Sequence, residues 1–151
     1  MGTKPGCSIL SIGLLIFNPQ TGQQLAEYYQ ELVPNGTLDW DTLRWWAKQD
    51  AKPPLDGQTG LDVVQDDLQQ LWGEWRPVAI WANGANADFK WIRSAMGVPW
   101  TFRDERCLRT VAALYPHTVR PPDQHSHNAL QDCIWQAKLL HNIYKETGWS
   151  T

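Results

Sequence analysis

Cysteine is scarce in this chain: Cys7, Cys107 and Cys133 are its only three, and no two of them form a Cys-x-x-Cys pair. That excludes a zinc ribbon, a thioredoxin-type redox centre and a disulfide-built scaffold, and it suits a reduced, cytoplasmic setting. Basic charge is not in excess either. Thirteen Lys and Arg stand against sixteen Asp and Glu, a net charge of −3, so a generic polycationic coat for nucleic acid is excluded. Long hydrophobic runs are also missing. The apolar stretch from Cys7 to Phe17 falls well short of the roughly 20 residues that a spanning helix needs. Asn18-Pro19-Gln20-Thr21-Gly22 follows it where a signal peptide would carry a small-residue cleavage site, and Gly6 stands where a myristoylation pattern wants Ser or Thr. No membrane anchor is expected. Repeats, low-complexity tracts and linkers are absent as well.

What remains is a globular composition. Hydrophobic residues make up 42% and charged residues 19%, which excludes intrinsic disorder, and 151 residues fit one domain. Ten tryptophans either fill the core or present stacking faces. The segment Ser8 to Phe17 is too short for an ordinary helix and reads as a strand, with Gln24 to Leu32 returning as its hairpin partner. Asp39 or Thr37 caps a helix carrying Trp40, Leu43, Trp46 and Ala47, which ends before Pro53-Pro54. Leu61, Val64, Leu68, Leu71, Trp72 and Trp75 repeat at helical spacing. A third strand, Val78 to Ala82, runs into the polar turn Asn83 to Asp88. Helices then follow from Asp88 to Met96, Cys107 to Tyr115 and His127 to Thr147. The order β-β-α-α-β-α-α-α predicts an α/β layer with helices over a small mixed sheet.

Charge is uneven along this order. Residues 1–75 carry ten acids and four bases, whereas residues 90–120 carry Lys90, Arg93, Arg103, Arg106, Arg109 and Arg120 against Asp104 and Glu105 alone. That stretch is either a local field for phosphate or a solvated face with a few ion pairs. Trp91 and Trp100 flank it, with core packing the simpler role for both. Trp40, Trp46, Trp72 and Trp75 fall on apolar helix faces, as core or subunit-interface residues, and Trp45 with Trp46 marks a candidate homodimer contact.

Three residues invite a chemical reading. Asp88 lies at a strand-to-helix junction, and Asp132 stands five residues after His127 at the start of the last helix. Carboxylate oxygens suit Mg2+ or Mn2+, and a histidine beside a bound water has a pKa near working pH. Spacing alone is equally compatible with a helix cap, a first-turn dipole partner and a surface histidine. His117, His125, His127, Cys107 and Cys133 lack zinc-ligand spacing. His125 reads as solvent-facing, and Cys133, with Ala129 and Ala137 at four-residue spacing, as a small core residue.

His127-Asn128-Ala129-Leu130-Gln131-Asp132 resembles the His-x-Ala-x-x-Asp third motif of the DEDD 3′–5′ exonucleases, in the histidine-bearing (DEDDh) branch with an RNase H-like fold. Asn83-Gly84-Ala85-Asn86-Ala87-Asp88, after Trp81-Ala82, resembles their second motif in the form found in small phage and bacterial enzymes of the mycobacterial exoribonuclease-like group. Gly2 to Gly13 is similar to the segment that follows the first motif. The likeness spans nearly the whole chain, with the motifs in the right order.

The resemblance implies a single RNase H-like (DnaQ-like) exonuclease domain over residues 1–151 that hydrolyses the terminal phosphodiester at a 3′ end of DNA or RNA. It implies two divalent ions, Mg2+ or Mn2+: Asp88 helps hold one, often through water, Asp132 ligates the other, and His127 activates the attacking water. Asn83, Lys90, Arg93, Arg106 and Arg109 are the expected contacts to nucleic acid. In one respect the chain departs from the pattern. The Asp-x-Glu pair that supplies two of the family's four carboxylates, on a first strand just before the segment beginning at Met1, is not among these residues. The expectation is therefore a sheet with two unpaired inner edges and a chain inactive by itself. The alternative is a catalytically dead nucleic-acid-binding or protein-interaction domain on the same scaffold.

Overall fold

The computed structural model describes residues 6–122 and 127–148. Strand β1 (Ser11–Phe17) and strand β2 (Gln24–Glu31) pair antiparallel with Leu14 opposite Tyr28, and the register shifts between Ile16 and Phe17. Their turn is built by Asn18. Its Oδ1 accepts from the amides of Gln20 at 2.9 Å and Thr21 at 3.2 Å, while Gly22 takes φ 74°, a left-handed conformation that suits glycine. The predicted start at Ser8 lies three residues ahead of β1, although the Leu32 amide still donates to the Leu10 carbonyl at 2.8 Å.

Helix α1 (Trp40–Trp46) is capped by Asp39, whose Oδ2 accepts from the Thr42 amide at 3.1 Å. It buries no residue, and Trp40 is 68% exposed with the Arg44 guanidinium over its ring. The expectation of Trp40 as a core residue is thus corrected. Seven residues with a tight cap form a short helix lying on the surface, so its apolar positions are left for something other than the core. Helix α2 (Leu61–Trp75) follows its predicted span and closes on Arg76 at φ 43°.

Strand β3 (Ile80–Ala82) starts later than its apolar run suggests, since Val78 is 81% exposed and outside the strand. Helix α3 (Ala85–Ala95) begins three residues before Asp88, so Asp88 sits inside its first turn and does not open it. A strand without a periodic signal, β4 (Glu105–Cys107), pairs parallel with β3, with Ile80 opposite Glu105. Three residues of mixed polarity offer nothing to count. Helix α4 (Leu108–Leu114) comes next, and helix α5 (Ala129–Thr147) is capped by Asn128 and closed by Gly148 at φ 65°.

Two clusters share the core. One gathers Leu32, Val64, Leu68, Ile80, Phe89 and Trp100 under α2 and α3; the other gathers Leu108, Ala112, Leu139, Leu140, Ile143 and Tyr144 between α4 and α5. Trp100 packs against Trp72 and Phe89, with ring centroids at 5.7 Å and 6.1 Å, which settles it as a core ring. Among the described residues the strands form two separate two-stranded pairs, β1 with β2 and β3 with β4.

Candidate active site

Asp88 reaches its place because β3 ends in a turn that becomes α3 within three residues. Its Oδ2 accepts from the Gly84 amide at 3.1 Å, closing that turn. A Cβ on Gly84 would lie 3.6 Å from Asp88 Oδ2 and 3.7 Å from Arg109 Nη2, so this turn lies beside both the carboxylate and the guanidinium. The aspartate retains an open side to water, yet the protein around its carboxylate raises its pKa by desolvation. The Gly84 hydrogen bond and the Arg109 charge act in the opposite sense.

Asp132 is brought to the same region by α5. The capping side chain of Asn128 accepts from the amides of Leu130 at 3.0 Å and Gln131 at 3.1 Å, which fixes the first helical turn carrying Asp132. That turn is seated on β1 at Gly13, where an added Cβ would come within 2.4 Å of Ala129 C and Leu130 N. Only glycine permits such an approach. Next to it, the Cys133 thiol donates to the Gly13 carbonyl at 3.3 Å. This thiol is pushed up to about 12 by burial, then by the charge of Asp132 and by that of Asp88. Both carboxylates therefore act on one sulfur. Asp88 and Asp132, 44 residues apart in the chain, thus both come within electrostatic reach of the Cys133 thiol.

His127 is oriented differently. It lies just outside α5 at φ 48°, a left-handed backbone that costs a residue with a side chain about 1 kcal/mol. Its ring stands edge-on to Trp45 at 4.9 Å and to Trp46 at 5.6 Å, and its Nε2 is 3.2 Å from Gln49 Oε1. Among the described residues no three His, Cys, Asp or Glu side chains are grouped closely enough to hold a metal ion. The structure thus brings both aspartates within electrostatic reach of Cys133 and ties the histidine to α1. Beside this tie lies a cavity of about 320 Å3 lined by Leu43, Trp46, Ala47, Gln49, Lys52 and Pro53.

The remaining expected site residues are spread more widely. Arg109 faces Asp88. The Asn83 carbonyl accepts from the Cys107 thiol at 3.8 Å, and hydrogen bonding by the Thr110 side chain holds that thiol below its ordinary pKa. Arg93 is bound to Glu105 through Nε at 3.0 Å and through Nη2, with a further contact from Nη2 to the Trp100 carbonyl at 3.4 Å. Arg106 donates to the Arg103 carbonyl at 2.6 Å and to that of Glu105 at 2.9 Å. Lys90 is exposed on α3. His125 lies outside the described residues. Gln49 and Cys133 carry no motif, and nothing in the sequence links Gln49 to a histidine 78 positions away.

Comparison with known proteins gives these groups a frame. The family model of the Rv2179c-like 3′–5′ exoribonuclease domain matches residues 1–144. Among solved structures the chain is similar to exonuclease X in complex with 5′ overhanging duplex DNA, at 19% identity and a TM-score of 0.67, covering 99% of this chain and 89% of that one. No curated protein sequence matches. Fold and motifs together define a DEDD-type 3′–5′ exonuclease on an RNase H-like scaffold, a class that works with divalent metal ions. Within that class the chain belongs to the Rv2179c-like 3′–5′ exoribonuclease domain family.

Proposed function

We propose that this chain provides Asp88, Asp132 and His127 to a two-ion site, with Mg2+ or Mn2+, that hydrolyses the last phosphodiester at the 3′ end of a nucleic acid. The family description favours RNA as the polymer, and the exonuclease X complex makes DNA the competing substrate. The observation that carries the reading is that the β3–α3 turn holding Asp88 and the start of α5 seated on Gly13 bring both carboxylates within electrostatic reach of Cys133. Two oxygen-only donors suit a hard divalent cation, and desolvation of Asp88 is relieved when positive charge sits beside it. Bound ions would polarise the scissile phosphate, lower the pKa of a water and steady the departing oxygen. The protein's part is to hold Asp88 and Asp132 on rigid helix starts, to present the His127 imidazole as proton acceptor, and to set Arg109 where phosphate charge arrives.

Two carboxylates do not hold two ions close together. We therefore expect residues 1–151 alone to release no nucleotide, and release to appear when the chain also carries a preceding strand ending in Asp-x-Glu. The test is Mn2+- or Mg2+-dependent release of nucleotides from labelled RNA and DNA oligomers by both forms. In the active form His127→Ala lowers the rate by about 100-fold or more. Metal-dependent turnover by the 151 residues alone, abolished in Asp88→Asn, overturns the inactivity. Failure of both forms to cleave, with salt-sensitive binding of the same oligomers, favours the alternative of a binding domain on this scaffold.

A further inference from the structure

We propose that Gln49 is a positioning residue for His127: its carboxamide oxygen places the ring proton on Nε2 and leaves the lone pair of the neutral imidazole on Nδ1. The orientation of the carboxamide is itself fixed. The Gln49 side-chain nitrogen donates to the Trp45 carbonyl at 3.2 Å, which turns Oε1 toward His127 Nε2, 3.2 Å away. A carboxamide oxygen only accepts, so the ring nitrogen facing it must donate. The Gln49 amide meanwhile donates to the Trp46 carbonyl at 2.9 Å and anchors the residue to the end of α1.

The ring plane is fixed independently. Trp45 and Trp46 stand at 80° to one another, 5.2 Å apart, and each meets the imidazole edge-on, at 77° and 75°. Such edge-to-face contacts resist rotation of the ring. On the backbone side, Asn128 is committed to capping α5. Plane, proton and main chain are thereby each constrained, which is what a base needs if its lone pair is to stand at one place before the substrate arrives. The inference rests on the reading of His127 as the residue that activates water.

The test is long-range proton–nitrogen NMR on the 151-residue chain labelled with 15N-histidine, with the His127 signals assigned by their loss in His127→Gln. We expect the Nε2–H tautomer, with exchange of that proton with water slowed about tenfold relative to Gln49→Leu, the factor an ordinary hydrogen bond is worth. Gln49→Glu, which still accepts, retains the protected proton, and circular dichroism verifies that each variant is folded. An Nδ1–H tautomer in the native chain, or identical tautomer and exchange in Gln49→Leu, overturns the proposal. In the strand-completed enzyme, kcat falls about tenfold in Gln49→Leu with KM unchanged and recovers in Gln49→Glu. A kcat unaffected by Gln49→Leu overturns the positioning role. Full turnover in His127→Gln would instead sink the functional reading, and the spectra, which need no turnover, would still judge the tautomer.

Discussion

Asp88 and Asp132 sit in the first turns of α3 and α5, and what fixes them is backbone: the Gly84 amide on one side, the Asn128 cap and the Gly13 seat on the other. His127 sits outside any helix at a positive φ, and what fixes it is side chains: two indoles and a carboxamide from a short surface helix. The two aspartates proposed as metal ligands are thus built into the scaffold. His127, the proposed proton acceptor, is held by an element with no buried residue of its own, the kind of element that opens at low cost.

The strongest challenge to this contrast is Gly13→Val. The new side chain meets the backbone of Ala129 and Leu130, and overpacking of that kind costs about 3 kcal/mol, read as a lower urea midpoint at unchanged slope. The tryptophan clasp on α1 draws nothing from Gly13, so the His127 ring signals of the folded fraction are expected to stay in place.

Asn128→Ala lies between the two halves and loosens both. Loss of the cap to the Leu130 and Gln131 amides costs about 1 kcal/mol, and the slowed exchange of the His127 ring proton is expected to weaken in the same variant. If unfolding shows no change, the cap is not what anchors the start of α5.

Asp88→Asn is the mildest change and touches the carboxylate half alone. Because the folded pKa of Asp88 lies above its unfolded value, the native state holds the proton more tightly. The aspartate therefore costs stability that grows as pH rises from the ordinary carboxylate value of about 3.9 through the folded pKa, and that persists above it. In metal-free buffer the asparagine variant is expected to melt slightly higher than the native chain at pH 7 and equally at pH 3. It also removes one of the charges raising the Cys133 thiol, so modification of the folded variant by a disulfide reagent begins at lower pH. An unchanged thiol profile would mean that Asp88 and Asp132 do not share Cys133.

Much of this was legible in the chain, and the exceptions have a common cause. Helix α2 was visible because its apolar residues repeat at helical spacing, and β1 because its apolar run is too short for an ordinary helix. Asp88, His127 and Asp132 stood out through local motifs. Strand β4 was hidden, because Glu-Arg-Cys has no period and becomes a strand only through its parallel neighbour β3. Arg93, read as part of a field for phosphate, is tied to Glu105 and Trp100, a partnership set by how α3 meets β4. The same holds for Gln49 and His127. Each hidden feature joins distant segments, and composition or spacing within one segment carries no trace of it.

Where β1 meets α5 at Gly13, main chain rests on main chain with no rotamer between them to absorb movement. The ribbon and the helix therefore have no side chain between them at this point, and Asp132 lies within the same first turn of α5.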